Sequence, residues 1–154
     1  MLFRSERDKI AEMKQIPIHD FIQNKNLLFV DDSIVRGTTS GRVVSLLREA
    51  GATEVHFMVS SPPFLFPCYY GTDVPNKNML IANMHTEEEI RKIIGVDSLH
   101  YLKLEDMKEM SEKSGNKISF CYSCFDGKYP TKIPSEQTDK YQTKIDIEQK
   151  TKRH

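Results

Sequence analysis

The chain has no excess charge of either sign, no long apolar run, little cysteine and too few residues for several domains. Lys plus Arg number 22 and Asp plus Glu number 22, a formal net charge of zero, so no global positive field gathers a nucleic-acid backbone and nucleic acid is not an expected partner. Apolar runs such as residues 27–30 and 64–67 fall far short of the roughly 20 residues a membrane span needs, so a membrane is not expected either. Residues 1–13 carry charge throughout (Arg4, Glu6, Arg7, Asp8, Lys9, Glu12) and offer no apolar signal-peptide centre, which predicts a cytoplasmic protein. With 154 residues, 38% of them hydrophobic, one core is the limit, which excludes a long multidomain enzyme complete in this polypeptide. Three cysteines cannot all pair within one chain, and in a reducing compartment a Cys-x-x-Cys reads as a metal or redox site before it reads as a staple.

What is present is an α/β pattern without internal repeats. Residues 5–14 place Ile10, Ala11 and Met13 among charges, as a short surface helix would, and residues 20–26 read as a turn-like approach. Leu27-Leu28-Phe29-Val30 is a continuous apolar run between polar residues, the pattern of a parallel strand buried on both faces. Residues 41–50 are amphipathic in the helical sense, with Val43, Leu46, Leu47 and Ala50 on one face and Gly51 to end the helix. Residues 55–59 supply a second strand, so residues 27–59 form a βαβ unit whose loop opens at the carboxyl edge of the sheet. Pro62, Pro63, Pro67 and Pro75 make the next segment irregular but stiff. Thr86 and Glu89 form a capping box ahead of Ile90, Ile93, Ile94 and Gly95. Residues 98–102 suit a short strand, and residues 104–113 a helix with Leu104, Met107 and Met110 on one face. From Lys128 onward seven bases stand against four acids, which predicts a disordered or loosely helical tail.

Residues 30–40, Val-Asp-Asp-Ser-Ile-Val-Arg-Gly-Thr-Thr-Ser, lie between strand and helix, where ligands bind in open α/β sheets. Gly37 permits tight curvature, the amides of residues 36–39 can converge on an anion, and the following helix adds its positive end. Thr38, Thr39 and Ser40 add hydroxyl donors. Asp31 and Asp32 suit sugar hydroxyls or Mg²⁺, a hard ion that prefers oxygen. Together these parts describe a site for a phosphorylated sugar, although adjacent acids and a glycine turn also occur in doubly wound proteins without one.

The full string resembles the phosphoribosylpyrophosphate (PRPP) loop of the type I phosphoribosyltransferases, and in particular that of the amidophosphoribosyltransferases. The resemblance implies that Asp31 and Asp32 bind the ribose 2- and 3-hydroxyls and help hold Mg²⁺. It implies also that Ser33 contacts PRPP and that Val35, Arg36, Gly37, Thr38 and Thr39 take the 5-phosphate. Several phosphoribosyltransferases place an acid where Val35 stands, to assist proton transfer at a base. Ammonia needs no prior deprotonation, so Val35 either marks an amido-transferring member or simply packs.

Cys121-Tyr122-Ser123-Cys124 brings two thiols toward one centre, with Cys68 earlier in the chain. Zinc would need a fourth ligand, for which His56, His85 or His100 are candidates, and an iron–sulfur cluster would need a fourth thiolate. Residues 60–73 and 120–130 are similar to the cluster-binding segments of the family's iron–sulfur subgroup, which implies Cys68, Cys121 and Cys124 as [4Fe–4S] ligands, the fourth lying upstream. Tyr69, Tyr70, Asp73, Ile81, Ala82 and residues 94–99 follow the same pattern and read as packing and turn formation.

The resemblance runs from about residue 25 to 130. It implies a partial type I phosphoribosyltransferase fold, a parallel sheet with flanking helices, followed by a helical, cluster-binding segment. The expected organisation is a lead-in at 1–24, the carboxyl-terminal half of the phosphoribosyltransferase domain at 25–104, a helix and Cys-x-x-Cys segment at 105–130, and a polar tail at 131–154. The family's glutaminase and the first half of its transferase domain are not encoded here. The chain is therefore expected to be a carboxyl-terminal fragment or split subunit of an enzyme making 5-phosphoribosylamine from PRPP and glutamine, inactive alone. Its implied partners are PRPP and an amino-terminal glutaminase/transferase half, with a homo-oligomer when complete. The alternatives are a non-catalytic PRPP- or nucleotide-sensing module and a small metal–thiolate interaction protein.

Overall fold

Three parallel strands in the order β1-β2-β3 form the frame. They are β1 (Asn26–Asp31), β2 (Glu54–Val59) and β3 (Ser98–Tyr101). Leu27 is in register with Val55, Phe29 with Phe57 and Asp31 with Val59, while Phe57 faces Leu99 on the other side. The computed structural model describes residues 17–72, 74, 76–113 and 120–133. The expected helix at 5–14, Asp73, Pro75 and most of the polar tail lie outside the described residues.

Helix α1 (His19–Ile22) precedes β1, where the sequence suggested only a turn. Ile22 is buried and supplies the packing that makes one helical turn worthwhile. Helix α2 (Thr38–Glu49) connects β1 to β2. Its core-facing row is Ser40, Val44 and Leu47; of the expected stripe Leu47 packs on the core and Ala50 is buried, while Val43 and Leu46 stay half-buried and Val44 takes the inward place. A short 3-10 turn (Lys77–Met79) and α3 (Ile81–Met84) lead to α4 (Glu87–Ile94), which carries the expected capping box of Thr86 and Glu89 and ends at left-handed Gly95. Helix α5 (Leu104–Lys113) and α6 (Ser123–Asp126) complete the described elements. On α5, Leu104 and Met107 are half-buried, but Met110 is exposed.

Helices α2 and α4 pack side by side on one face of the sheet. Val44, Ile90 and Ile94 meet Val55, Phe57, Val59 and Leu99 there, and the Phe29 and Phe57 rings lie 4.6 Å apart. Each fully buried side chain of this size contributes about 1.5–3 kcal/mol. Among the described residues the opposite face is uncovered. Leu28 is 63% exposed, Val30 58% and Met58 46%, so the expectation that residues 27–30 are buried on both sides is corrected. The helices of the two crossovers described all fall on one face.

Arg48 and Asp97 tie α2 to the start of β3 through an ion pair. Arg48 also donates to the Thr53 carbonyl at 2.7 Å, and the Asp97 carboxylate accepts the Val55 N–H at 2.6 Å. Arg91 forks onto Glu88, with both bonds at 2.8 Å, and reaches the Val96 carbonyl at 3.0 Å.

Candidate functional site

Strand β1 delivers Asp31 and Asp32 to the carboxyl edge of the sheet. The Asp31 backbone carbonyl is held by β2's continuation, accepting the Ser60 N–H at 2.9 Å and the Ser60 hydroxyl at 3.2 Å. The Asp31 carboxylate accepts the Asp32 N–H at 2.9 Å, and the Asp32 carboxylate accepts the Ser33 hydroxyl at 3.2 Å. These bonds fix both acids locally and leave further lone pairs on each carboxylate. Among the described residues the Lys and Arg ion pairs, at Arg48–Asp97, Arg91–Glu88, Lys92–Glu88, Lys113–Glu109 and Lys108–Asp126, lie elsewhere.

Beyond the acids the chain dives back through Ile34, 1% exposed, which anchors the loop in the core. The Val35 carbonyl accepts the Ile81 N–H at 2.9 Å. The Val35 side chain packs with Cys68, Cys124 and Phe125 against Phe64, Val74 and Leu80, which favours the packing reading of that residue. Arg36 is exposed and its guanidinium donates to the Met79 sulfur at 3.6 Å. Gly37, at φ +76°, is the N-cap of α2. That left-handed conformation favours glycine, and a Cβ there would lie 2.7 Å from the Ile81 Cδ1.

The helix start that follows is uncapped. No side chain bonds the first amides of α2, and its first turn holds no acid. Helix α4 solves the same problem internally, with a complete capping box and Glu87, Glu88 and Glu89 in its first turn. The positive end of α2, with the exposed Thr38 and Thr39, is thus left for an anion from outside. Ile81 and Ser60 support this loop from distant segments, and in the sequence alone Ile81-Ala82 reads only as packing.

The three cysteines gather on the other side of the Val35 cluster. The carbonyl of Cys124 accepts the N–H groups of Leu65 and Phe66, both at 3.0 Å, so α6 is laced to the Pro-rich segment. Burial, aided by the nearby Cys68 and Cys121 thiols and Asp126, pushes the Cys124 thiol up to about 11. At Cys68 burial acts in the same direction but is outweighed by backbone N–H groups of Tyr70, Gly71 and Thr72, and the thiol falls below its ordinary value. The Thr72 N–H donates to its sulfur at 3.3 Å. The Cys121 sulfur lies 3.1 Å from the Ser123 hydroxyl. Tyr129, whose hydroxyl donates to the Pro67 carbonyl at 2.7 Å, packs with its ring tilted against Tyr69 and is pushed up to about 12 by burial first and then by Tyr69 and the Cys124 and Cys68 thiols.

No three His, Cys, Asp or Glu side chains among the described residues stand ready to share a single metal ion. His56 bonds Ser98 and Glu54, His85 lies by Glu89 and His100 by Glu87. Among the described residues none of these contacts joins a histidine to the cysteines. A cluster presents separate irons to separate thiolates, so its ligands stand further apart than those of one ion. Cys124 lies near both the Cys68 and the Cys121 thiols, and backbone amides favour the Cys68 thiolate, which suits part of such a donor set.

No protein-family model matches the chain. It is 42% identical over 139 residues to the amidophosphoribosyltransferase of Archaeoglobus fulgidus, a match covering 90% of this chain and 30% of that protein. It is 48% identical over 124 residues to the chloroplastic amidophosphoribosyltransferase of Glycine max, covering 80% and 21%. The solved glutamine PRPP amidotransferase of B. subtilis, complexed with ADP and GMP, superposes with a TM-score of 0.66 at 47% identity, covering 77% of this chain and 27% of that one. The chain is homologous to the phosphoribosyltransferase portion of amidophosphoribosyltransferases. It spans less than a third of the length of these relatives. The parallel sheet with flanking helices is the fold of the corresponding amidophosphoribosyltransferase region. The names do not favour a stand-alone sensing module or a metal–thiolate interaction protein. No helix among the described residues is long and apolar enough to cross a membrane.

Proposed function

We propose that this chain supplies the PRPP-holding part of an amidophosphoribosyltransferase acting in the cytoplasm. The observation that carries this reading is the bend at Gly37, which opens onto the uncapped, acid-free start of α2 directly after two neighbouring carboxylates. The 5-phosphate binds the amides and hydroxyls of residues 36–39, where the helix dipole and N–H donors lower its energy. Asp31 and Asp32 accept from the ribose hydroxyls, and Ser33 keeps Asp32 oriented. Mg²⁺ takes one or two carboxylates and completes its shell with water and substrate phosphates, so this pair fits it without a third protein ligand; when bound, the ion neutralises charge on the pyrophosphate. Cys68, Cys121 and Cys124 would supply thiolates to a [4Fe–4S] cluster, which would tie residues 120–133 to the Pro-rich segment.

In this reading 5-phosphoribosylamine forms only when the remaining portion of the enzyme is present, in a larger assembly of like subunits. Titrating the ¹⁵N-labelled chain with PRPP and Mg²⁺ at millimolar concentration tests the site. Shifts confined to the amides of residues 31–39, lost in Asp31→Asn plus Asp32→Asn, are expected. An unmoved loop at saturating PRPP overturns the assignment, and phosphoribosylamine formed by the chain alone from ammonia overturns the fragment reading.

A further inference from the structure

The turn that carries Cys121 and Cys124 has little stability of its own. Helix α6 is four residues long, and its N-cap, Tyr122, makes no side-chain bond to the helix amides. Nucleating a single turn fixes several dihedral angles for one hydrogen bond, so the direction in which its thiols point is set by what grips the turn from outside. Several grips act at Cys124 and beyond. The Leu65 and Phe66 N–H groups donate to the Cys124 carbonyl, the Tyr129 hydroxyl donates to the Pro67 carbonyl, and the Tyr70 and Thr131 hydroxyls lie 2.9 Å apart. Gly127, left-handed at φ +72°, passes so close to Phe66 that a Cβ would stand 2.9 Å from the ring. These contacts hold residues 124–131 against the segment of Cys68, but none of them reaches Cys121 or Tyr122.

Lys108 of α5 does. Its ammonium lies 5.5 Å from the centroid of the Tyr122 ring and 3.5 Å from the Asp126 Oδ2. One cation therefore meets the neighbour of Cys121 and the residue two places past Cys124. The pair differs from an ordinary surface ion pair. The Asp126 side chain is only 16% exposed, and its other oxygen accepts the Lys128 N–H at 2.9 Å, so both oxygens are committed. The ion pair of Lys113 with Glu109, on the same helix, joins two exposed side chains one turn apart and fixes nothing beyond α5. Charge adds to the grip, because an unneutralised carboxylate two residues from Cys124 would repel thiolates gathered there, and the Lys108 charge offsets it.

We propose that Lys108 is a positioning residue for the thiolate site: by holding Tyr122 and Asp126 at once, it fixes the turn so that Cys121 and Cys124 stay gathered near Cys68. This rests on the functional reading above, in which the three cysteines donate to an iron–sulfur cluster. Groups that orient ligands without touching the metal govern its affinity nearly as firmly as the ligands do. The grip is made by protein groups alone, so it can be measured with and without iron.

The test uses the full chain in two states. Without metal, amide exchange followed by NMR reads the bonds from the Phe125 and Asp126 N–H groups to the Tyr122 carbonyl and from the Gly127 N–H to the Ser123 carbonyl. Lys108→Met removes the charge and keeps most of the reach, and is expected to speed exchange at these amides about tenfold, as loss of a partly buried ion pair would. Lys108→Arg restores slow exchange, and Lys113→Met never loses it. For the second state the chain is reconstituted anaerobically with iron, sulfide and excess dithiothreitol, whose thiolate completes the ligand set. Iron and acid-labile sulfide bound per chain are expected to fall about twofold or more in Lys108→Met and to recover in Lys108→Arg. The inference is overturned by unchanged exchange at residues 125–127 in Lys108→Met, by iron and sulfide uptake equal to that of the wild type, or by Lys108→Arg failing as badly as Lys108→Met. A wild-type chain that takes up no iron and sulfide overturns instead the cluster reading on which the inference rests, so the two failures are distinct.

Discussion

Gly37 shows how one residue serves backbone, packing and ligand at once. Its left-handed φ turns the chain from β1 into α2, its missing side chain admits Ile81, and its position at the N-cap leaves the helix amides open. Gly37→Ala forces both a strained conformation and a 2.7 Å contact, so urea denaturation should show a loss of about 1–3 kcal/mol. PRPP-dependent amide shifts should weaken in parallel. Among the thiols, the lowered Cys68 becomes thiolate at lower pH than Cys124, which is held up at about 11. Thiolate is the reactive form. In the metal-free protein at mildly alkaline pH, iodoacetamide should label Cys68 before Cys124, as read by peptide mass spectrometry, and equal labelling rates would contradict the amide-stabilised Cys68 described above.

At the scale of elements, the sheet is pinned to its helices by few polar groups. Asp97 receives the Val55 N–H and the Arg48 guanidinium, and Val55 is fully buried. The Val55 N–H, against partial desolvation, and then Arg48 hold the Asp97 carboxyl below its ordinary value. A depressed carboxyl contributes stability that is present above its unfolded pKa and lost as pH falls through the folded one. Asp97→Ala strands a buried N–H and should cost about 1–3 kcal/mol at neutral pH. That difference from the wild type should shrink on acidification, as followed by thermal melts across the acid range; a difference independent of pH would show that the carboxylate charge is not what matters.

Across the described residues, one side of the sheet carries the packed core and the other leaves Leu28, Val30 and Met58 exposed. Phe57→Ala empties the core and should cost about 3–5 kcal/mol, a large share of the 5–15 kcal/mol typical of a domain. Leu28→Ala, one strand away on the bare face, should change stability by no more than about 0.5 kcal/mol, and chemical denaturation of both variants compares them directly. The elements were legible in the amino acids because their signals are local. The Thr86–Glu89 box, Gly95 and Gly51 end or begin helices through bonds to near neighbours, and residues 30–40 carry their own turn, hydroxyls and acids. What the chain order could not reveal depended on distant partners. Leu27 to Val30 reads alike whether one face or two is covered, since burial is set by which crossovers exist. On α2 Leu47 and Ala50 face inward as expected, but Val44 rather than Val43 is buried, because α4 and Phe57 decide which neighbour meets the core. The convergence of Cys68 with Cys121 and Cys124, and the wedge of Ile81 over Gly37, join segments far apart in sequence, and only tertiary packing brings such segments to one place.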